Sequence, residues 1–359
     1  MCRVLGKALV ELKLQYGGSV RIFSMYGERN NVNNNNYFPQ TVFRGFNNNK
    51  VGFVINSFFA GRKVDVVIMS HINLLIPGIL IKLIKPNVKL ILITHGIEVW
   101  RHYPAWKVKI LKRIDFFLPV SHFTKNKMMA LYGLPEEKFS VLNNCLDPFL
   151  ERPLQKGKAR FLLERYGLNI SGRILITVSR LADTEQYKGY DRVLKALPDL
   201  LQDFPDLRYI LVGKYDPNEK KRLDAIINEL GLEHVVVFTG FVLDEEIAQH
   251  FSLGDIFIMP SEKEGFGIVF IEAMFYGLPV ISGNKDGSVD ALCNGELGTI
   301  VNPDDPDELT DTIRNILDNP SIFLPNQAKL QAHFSYELYK RKLYKCMKRT
   351  LSAENRSLS

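Results

Sequence analysis

The sequence predicts an α/β fold built on parallel sheets. Short apolar runs alternate with helix-like segments along the whole chain, the pattern of repeated strand–helix–strand units. A length of 359 residues suits two domains at roughly 100–200 residues each. A polar stretch with a proline and a glycine, 151–158, separates two halves of similar pattern and reads as a linker.

Taken in order, the chain opens on 2–14, which reads as a helix, and Gly17-Gly18 leads into a strand at 20–25. Residues 30–36 and 47–49 are asparagine-rich and read as exposed loop. Further strands are expected at 64–70, 89–94 and 116–120. The run 74–84 contains Pro77 and Lys82 and falls short of the ~18–20 apolar residues of a membrane span, so it reads as a buried helix. Ser121 is a natural N-cap for a helix to 132. In the second half, strands are expected at 173–178, 208–212, 235–239, 255–260, 279–282 and 299–301. Helices fall at 191–203, 218–230 and 268–276. The last segment, 336–349, is a basic amphipathic helix whose Tyr and Leu positions resemble a buried stripe, so packing on the body is favoured over a membrane surface. The expected domains are 1–150, 151–330 and a C-terminal helical segment, 331–359, packing back on the body.

Hydrophobic residues make up 46% of the chain, enough for large cores, which excludes global disorder. The net charge of +7 suits anionic ligands, nucleic acid or an acidic membrane, without choosing among them. Nucleic acid is disfavoured, because the basic residues do not form aromatic-interleaved runs. Cys2, Cys145, Cys293 and Cys346 lie far apart with no CxxC pair, which argues against a zinc knuckle or redox motif and for reduced thiols. A cytoplasmic protein is expected, with peripheral contact on the inner face of the cell membrane as its variant.

The most telling stretch runs Glu264-Gly265-Phe266-Gly267-Ile268-Val269-Phe270-Ile271-Glu272, directly after the 255–260 strand. A helix N-terminus carries free N–H groups and partial positive charge, which attract phosphate. Gly265 and Gly267 let backbone approach a ligand, and the flanking carboxylates accept hydrogen bonds from hydroxyls. Phosphate and hydroxyls together suggest a sugar nucleotide. The alternative is a plain helix start whose acids complement the dipole.

Arg180 follows a strand end, where open α/β sheets bind ligands, and Lys188 precedes the next helix. An Arg fork and a Lys point charge can hold a diphosphate and balance its charge as it leaves. Read alone, they are equally two solvated cations. Gly213 and Gly240 follow strands and either keep a cleft floor low or make plain turns. His95 ends the 89–94 strand; it either hydrogen-bonds a sugar hydroxyl or phosphate, moves a proton, or is structural. His122 reads as structural.

These residues resemble glycosyltransferase family 4, retaining transferases of the GT-B architecture. The matching set is Ser179-Arg180-Leu181 with Lys188-Gly189, Leu211-Val212-Gly213, Phe238-Thr239-Gly240, Pro260-Ser261 through Glu264-Gly265-Phe266-Gly267 to Glu272-Ala273, then Gly277-Leu278-Pro279-Val280-Ile281, Gly287-Ser288 and Gly298. It covers the second half almost end to end. The first half is similar more loosely, through His95-Gly96 and Val141-Leu142-Asn143-Asn144-Cys145-Leu146-Asp147.

The resemblance implies two Rossmann-like domains with parallel sheets facing a central cleft. It implies a UDP- or GDP-sugar donor held mainly by the second domain, and a glycan or lipid-linked acceptor in cell-envelope polysaccharide biosynthesis. By resemblance, Arg180 and Lys188 bind the diphosphate and Glu264 contacts sugar hydroxyls near the reacting centre. The backbone of Phe266, Gly267 and Ile268 cradles phosphate and sugar, with Gly213 and Gly265 in the same donor-binding set. Glu272 accepts the ribose hydroxyls, and His95 sits near the transferred sugar. The implied catalytic set is Glu264, His95, Arg180 and Lys188, acting with retention of anomeric configuration and without metal or other cofactor. Two departures stand out. The Arg180-to-Lys188 segment is longer than the commonest family spacing. The family's first strand and glycine loop are not found ahead of the first helix, as though the chain started late, which raises the alternative of an inactive or binding-only remnant.

Overall fold

The computed structural model describes residues 1–28, 36–153 and 157–352. The asparagine run at 30–35 and residues 154–156 of the expected linker lie outside the described residues. The chain divides into two compact units, Met1–Pro148 with Ser335–Ser359, and Phe149–Phe334.

The first unit opens on α1 (Cys2–Tyr16), which buries Val4, Leu5, Ala8 and Leu12 at helical spacing. Gly17 ends it at φ +83°. β1 (Ile22–Ser24) pairs in parallel with β2 (Phe43–Gly45) to make a two-stranded sheet. β2 was not expected from the sequence, because Phe43-Arg44-Gly45 carries a charge and a glycine instead of an apolar run. α2 (Lys50–Gly61) follows, with the Asn49 side chain accepting from the Gly52 N–H. Then come β3 (Val66–Met69), α3 (Leu75–Ile84), β4 (Lys89–Thr94), α4 (Ala105–Leu111), β5 (Phe116–Pro119) and α5 (His122–Tyr132). The strands form a separate parallel sheet in the order β3-β4-β5. Leu90, Ile91, Leu92 and Ile93 of the central strand are all buried, as a strand covered on both faces requires.

α3 corrects the expectation of a buried helix at 74–84. Leu75, Gly78, Ile79 and Ile81 are buried, but Ile76 and Leu83 are 52% and 62% exposed. An all-round apolar sequence cannot reveal that only one side of a helix finds a neighbour.

The C-terminal helix Tyr336–Ser352 belongs to this unit and packs on α1. Tyr339 and Leu343 enter a common core with Val4 and Ala8, Lys340 pairs with Glu11 at 2.8 Å, and the Tyr344 and Tyr16 rings stack at 4.1 Å.

The second unit runs α6 (Arg160–Tyr166), β6 (Ile174–Val178), α7 (Tyr190–Asp203), β7 (Arg208–Val212), α8 (Pro217–Glu229), β8 (Val236–Gly240), α9 (Asp244–Phe251), β9 (Ile256–Met259), α10 (Ile268–Phe275), β10 (Val280–Gly283), α11 (Ser288–Ala291), β11 (Thr299–Val301), α12 (Pro306–Asp318) and α13 (Gln327–Phe334). Its sheet is wholly parallel, in the order β11-β10-β9-β6-β7-β8. The strand order reverses between β6 and β9, which pair through Leu175 with Ile256 and Ile176 with Phe257. Such a switch point opens a crevice at the carboxyl ends of the two strands. Apart from Thr177 both strands are apolar, and apart from Val178 at the end of β6 they are buried, so the loops that follow them spring from a rigid floor.

Candidate active site

The candidate site occupies that switch point in the second unit. β6 delivers Ser179 and Arg180. The Ser179 N–H donates to the Val212 carbonyl and the Leu181 N–H to the Lys214 carbonyl, both at 2.9 Å, so Arg180 leaves the sheet between two backbone anchors. Gly213 allows this approach. It has φ +137°, and a Cβ there would stand 2.0 Å from the Ser179 carbonyl oxygen.

The segment from Asp183 to Lys188 forms a 3-10 turn kinked at Glu185, and Gly189 at φ +77° starts α7. A Cβ on Gly189 would lie 2.3 Å from the Pro260 carbonyl oxygen, so this glycine lets the Lys188 loop lie on the strand end of β9. The Glu185 carboxylate, largely buried, receives both cations: Arg180 donates to its Oε1, and Lys188 Nζ lies 3.4 Å from its Oε2. Arg180 is mostly exposed and Lys188 mostly buried. Burial lowers the Lys188 ammonium below the ordinary lysine value, and the Glu264 charge opposes that shift.

The loop is hung from α8 by a buried charge cluster. Glu219, fully buried, accepts from Tyr190 Oη at 2.6 Å, from Gln186 Nε2 at 3.1 Å and from Arg222 Nη2 at 2.6 Å. Asp216 caps α8 through the Glu219 N–H at 2.8 Å, and its other oxygen accepts the Asp183 N–H at 3.0 Å. The start, middle and end of the 183–190 segment are thereby tied to one helix end.

β9 delivers the second set. Ser261 and Glu264 converge on Asp286, which is 1% exposed. Asp286 Oδ2 accepts Ser261 Oγ and the Glu264 N–H, each at 2.7 Å; Oδ1 accepts the Ser288 N–H at 2.9 Å and Ser288 Oγ at 2.5 Å. Burial raises the Asp286 carboxyl, and these donors pull it back. The Glu264 carboxyl is also raised by burial; Lys188 opposes and Asp286 reinforces the rise. Burial raises the nearby Tyr187 hydroxyl, with Glu264 adding to it.

Gly267 starts α10 at φ +75°, where a Cβ would strike the Phe270 ring at 2.4 Å. Gly265 is not in the left-handed region. The Phe266 side chain is buried and meets Phe334 edge-on at 5.6 Å. Ile268 and Glu272 lie one helical turn apart on α10, and the Glu272 charge contributes to raising the Tyr276 hydroxyl, after burial.

The second unit therefore brings together Arg180, Lys188, Glu264 and the start of α10. Glu185, Glu219 and Asp286 were not singled out from the sequence. Glu185 stands three residues before Lys188, a spacing that signals an ion pair; the bonds of Asp286 to Ser261 and Glu264 span 25 and 22 residues and leave no local trace.

His95 lies in the first unit, at the end of β4. Its Nε2 is 2.9 Å from the Ser70 carbonyl oxygen, so this nitrogen carries the proton, and its backbone N–H donates to Glu98 at 2.5 Å. Gly96 follows at φ +138°. Ser70, His95 and Asn144 line a small depression with Met1 and Tyr339. Beside it, burial lowers the His71 imidazole, with Glu98 opposing and His95 adding.

Comparison with known proteins gives the family and the fold. The model of "Glycosyl transferases group 1" matches residues 161–341, and that of "Glycosyltransferase Family 4" matches 24–149. A GDP-mannose-dependent alpha-(1-6)-phosphatidylinositol monomannoside mannosyltransferase of Mycolicibacterium smegmatis is 32% identical over 239 residues, 63% of this chain and 60% of that protein. A monoacylated-substrate counterpart of Corynebacterium glutamicum is 25% identical over 267 residues, 70% of this chain and 67% of that protein. The structure of Anabaena Alr3699/HepE in complex with UDP superposes with TM-score 0.78 at 20% identity, covering 97% of this chain and 96% of that one. A glycosyltransferase from Rickettsia africae does so with TM-score 0.78 at 22% identity, covering 97% and 94%. The fold is the GT-B fold, with two Rossmann-like units. The chain belongs to the glycosyl transferases group 1, the GT4 family. Its match spans about 60% of the length of the M. smegmatis relative.

Proposed function

We propose that the protein is a retaining hexosyltransferase that moves a sugar from a UDP- or GDP-sugar to a glycan or lipid-linked acceptor in cell-envelope polysaccharide assembly. The observation that carries this reading is the gathering of Arg180, Lys188 and Glu264 at the β6/β9 switch point, beside the N-terminus of α10. The relatives' names add support on donor and acceptor class: GDP-mannose and a phosphatidylinositol mannoside for the mycobacterial protein, UDP for the Anabaena structure.

In this reading the Arg180 fork and the Lys188 ammonium take the diphosphate and stabilise the charge that develops on it as the glycosidic bond breaks. The backbone of Phe266, Gly267 and Ile268, with Gly213 and Gly265, lets phosphate approach the helix end. Glu264 accepts sugar hydroxyls and Glu272 the ribose hydroxyls. His95 is the first unit's candidate, as a donor or acceptor to the transferred sugar. The acceptor attacks the face the nucleotide leaves, through an oxocarbenium-like state, so configuration is retained. The two cations and the helix end supply the electrostatic work without a metal; turnover that survives chelation with EDTA is the expected result.

Lys188→Ala and Glu264→Ala should each lower turnover by about 10²–10³, the loss typical of one key electrostatic group. Near-normal turnover in both variants rejects the reading. A donor-hydrolysis screen over UDP- and GDP-sugars, with NMR of the product anomer, identifies the donor and checks retention.

A second reading, a chain that binds sugar nucleotide without transferring it, is favoured by one observation: the strands of the first unit fall into two separate sheets, β1-β2 and β3-β4-β5. Calorimetry with UDP and GDP beside a product assay separates the two. Binding without transfer or hydrolysis selects the second.

A further inference from the structure

α2 and α3 touch where a Gly61 Cβ would stand 2.6 Å from the Ile81 side chain. Away from that contact, each helix leaves an apolar stripe in water. Val51, Ile55 and Phe59 recur at four-residue spacing on α2, and Ile76, Leu80 and Leu83 lie on one face of α3. Val51 is 69% exposed and Phe59 57%. Single exposed apolar residues need no explanation, but two neighbouring stripes mark a surface that something covers.

The charges around them say what. Residues 36–97 hold seven Lys and Arg and one acid, Asp65. Lys50 opens α2, Arg62 and Lys63 follow its end, and all three are exposed; Lys85 follows α3 and pairs with Asp65. The imbalance extends to the whole unit. Residues 1–148 with 335–359 carry 27 Lys and Arg against 10 Asp and Glu, a net +17; residues 149–334 carry 19 against 29, a net −10. The modest +7 of the chain conceals two units of opposite sign. A second copy of the same face would set like charges together, which argues against self-association there.

We propose that the α2/α3 face docks on an anionic lipid bilayer. The apolar stripes enter the interfacial layer, and Lys50, Arg62 and Lys63 meet the phospholipid headgroups. Apolar area and basic charge are each a weak anchor, and here both occur on the same pair of helices. The proposal rests on the transferase reading only for its purpose, which is to bring the chain to a lipid-linked acceptor. Its test needs neither donor nor turnover, so its failure is distinct from failure of that reading.

The test is sedimentation of the full chain with vesicles of equal parts phosphatidylglycerol and phosphatidylcholine, against phosphatidylcholine alone. The expected result is tighter binding to the anionic vesicles that weakens with added salt. Phe59→Ser with Leu83→Ser, and separately Arg62→Glu with Lys63→Glu, should each lower the partition coefficient by about tenfold or more while the far-UV melt is unchanged. The proposal is overturned if the wild type does not distinguish the two vesicles, or if both double variants bind as the wild type does. It is also overturned if binding is lost instead with Lys345→Glu and Lys348→Glu on the C-terminal helix. Dimerisation through Phe59 and Leu83, seen by light scattering with no vesicle binding, would assign the face to a second copy.

Discussion

The backbone N–H of Glu264 donates to the carboxylate of Asp286 at 2.7 Å, and Asp286 is itself almost wholly buried. The position of the proposed sugar-facing carboxylate is therefore set by a second carboxylate 22 residues further along the chain.

Asp286→Ala should remove this support. The N–H of Glu264 and the hydroxyls of Ser261 and Ser288 lose their acceptor, and a buried unsatisfied donor costs about 1–3 kcal/mol. The expected outcome is a drop of at least about 2 kcal/mol in the urea stability of the second unit, together with a large loss of turnover. Unchanged stability and turnover would remove Asp286 from its positioning role.

Gly213→Ala should damage the site through backbone, and Gly240→Ala much less. Gly213 stands at φ +137° with the Ser179 carbonyl 2.0 Å from an added Cβ, whereas Gly240, at φ +70°, has nothing within 4 Å. The Gly240 change carries left-handed strain of roughly 1–2 kcal/mol, and the Gly213 change must also displace the strand end that carries Arg180. Calorimetric affinity for UDP or GDP, measured beside the thermal melt, checks this. Equal losses in the two variants would contradict it.

The pH dependence of kcat/KM should show an acid limb set by Glu264. Burial raises its carboxyl, so the ionised form needed to accept sugar hydroxyls is lost at a pH above the usual glutamate value of ~4.3. Burial lowers Lys188, so a basic limb falls below the ordinary lysine value of ~10.4. Glu264→Gln should leave low residual activity without the acid limb. A wild-type limb at or below the ordinary glutamate value would contradict the assignment.

The second unit should lose stability in mild acid through His250. This side chain is fully buried; its Nδ1–H donates to the Glu246 carbonyl at 2.7 Å, and its Nε2 accepts Tyr166 Oη at 2.9 Å. Burial lowers its folded-state value below ~6.5, so the unfolded chain binds the extra proton first. The stability is present above the unfolded value and is lost as pH falls through the folded one. Urea midpoints at pH 7 and about pH 5 should differ more in the wild type than in His250→Gln. An equal difference would show that other groups carry the acid sensitivity.

Much of the fold was legible because most strands are compact, largely apolar runs bounded by turn residues. Lys89–Thr94, Arg208–Val212 and Thr299–Val301 fall where the sequence places them. β2 escaped because Phe43-Arg44-Gly45 holds a charge and a glycine rather than an apolar run, and the open face of α3 escaped because Ile76 and Leu83 are as apolar as the buried Ile79 and Ile81. In the site, Arg180, Lys188 and Glu264 were visible as charges beside strand ends. The residues that hold them in place were not. Glu219 reads as one more acid on a polar helix, and only the folded chain shows it closed in by Tyr190, Gln186 and Arg222.

β6 is the strand shared by both halves of its sheet, flanked by β9 on one side and β7 on the other. Its amides can exchange with solvent only when one of the two halves parts from it, so they should be among the slowest in the second unit. Arg180 thus carries an exposed guanidinium, paired with Glu185, on a deeply held stem: the group is open to a ligand while its attachment point stays put until the sheet itself comes apart.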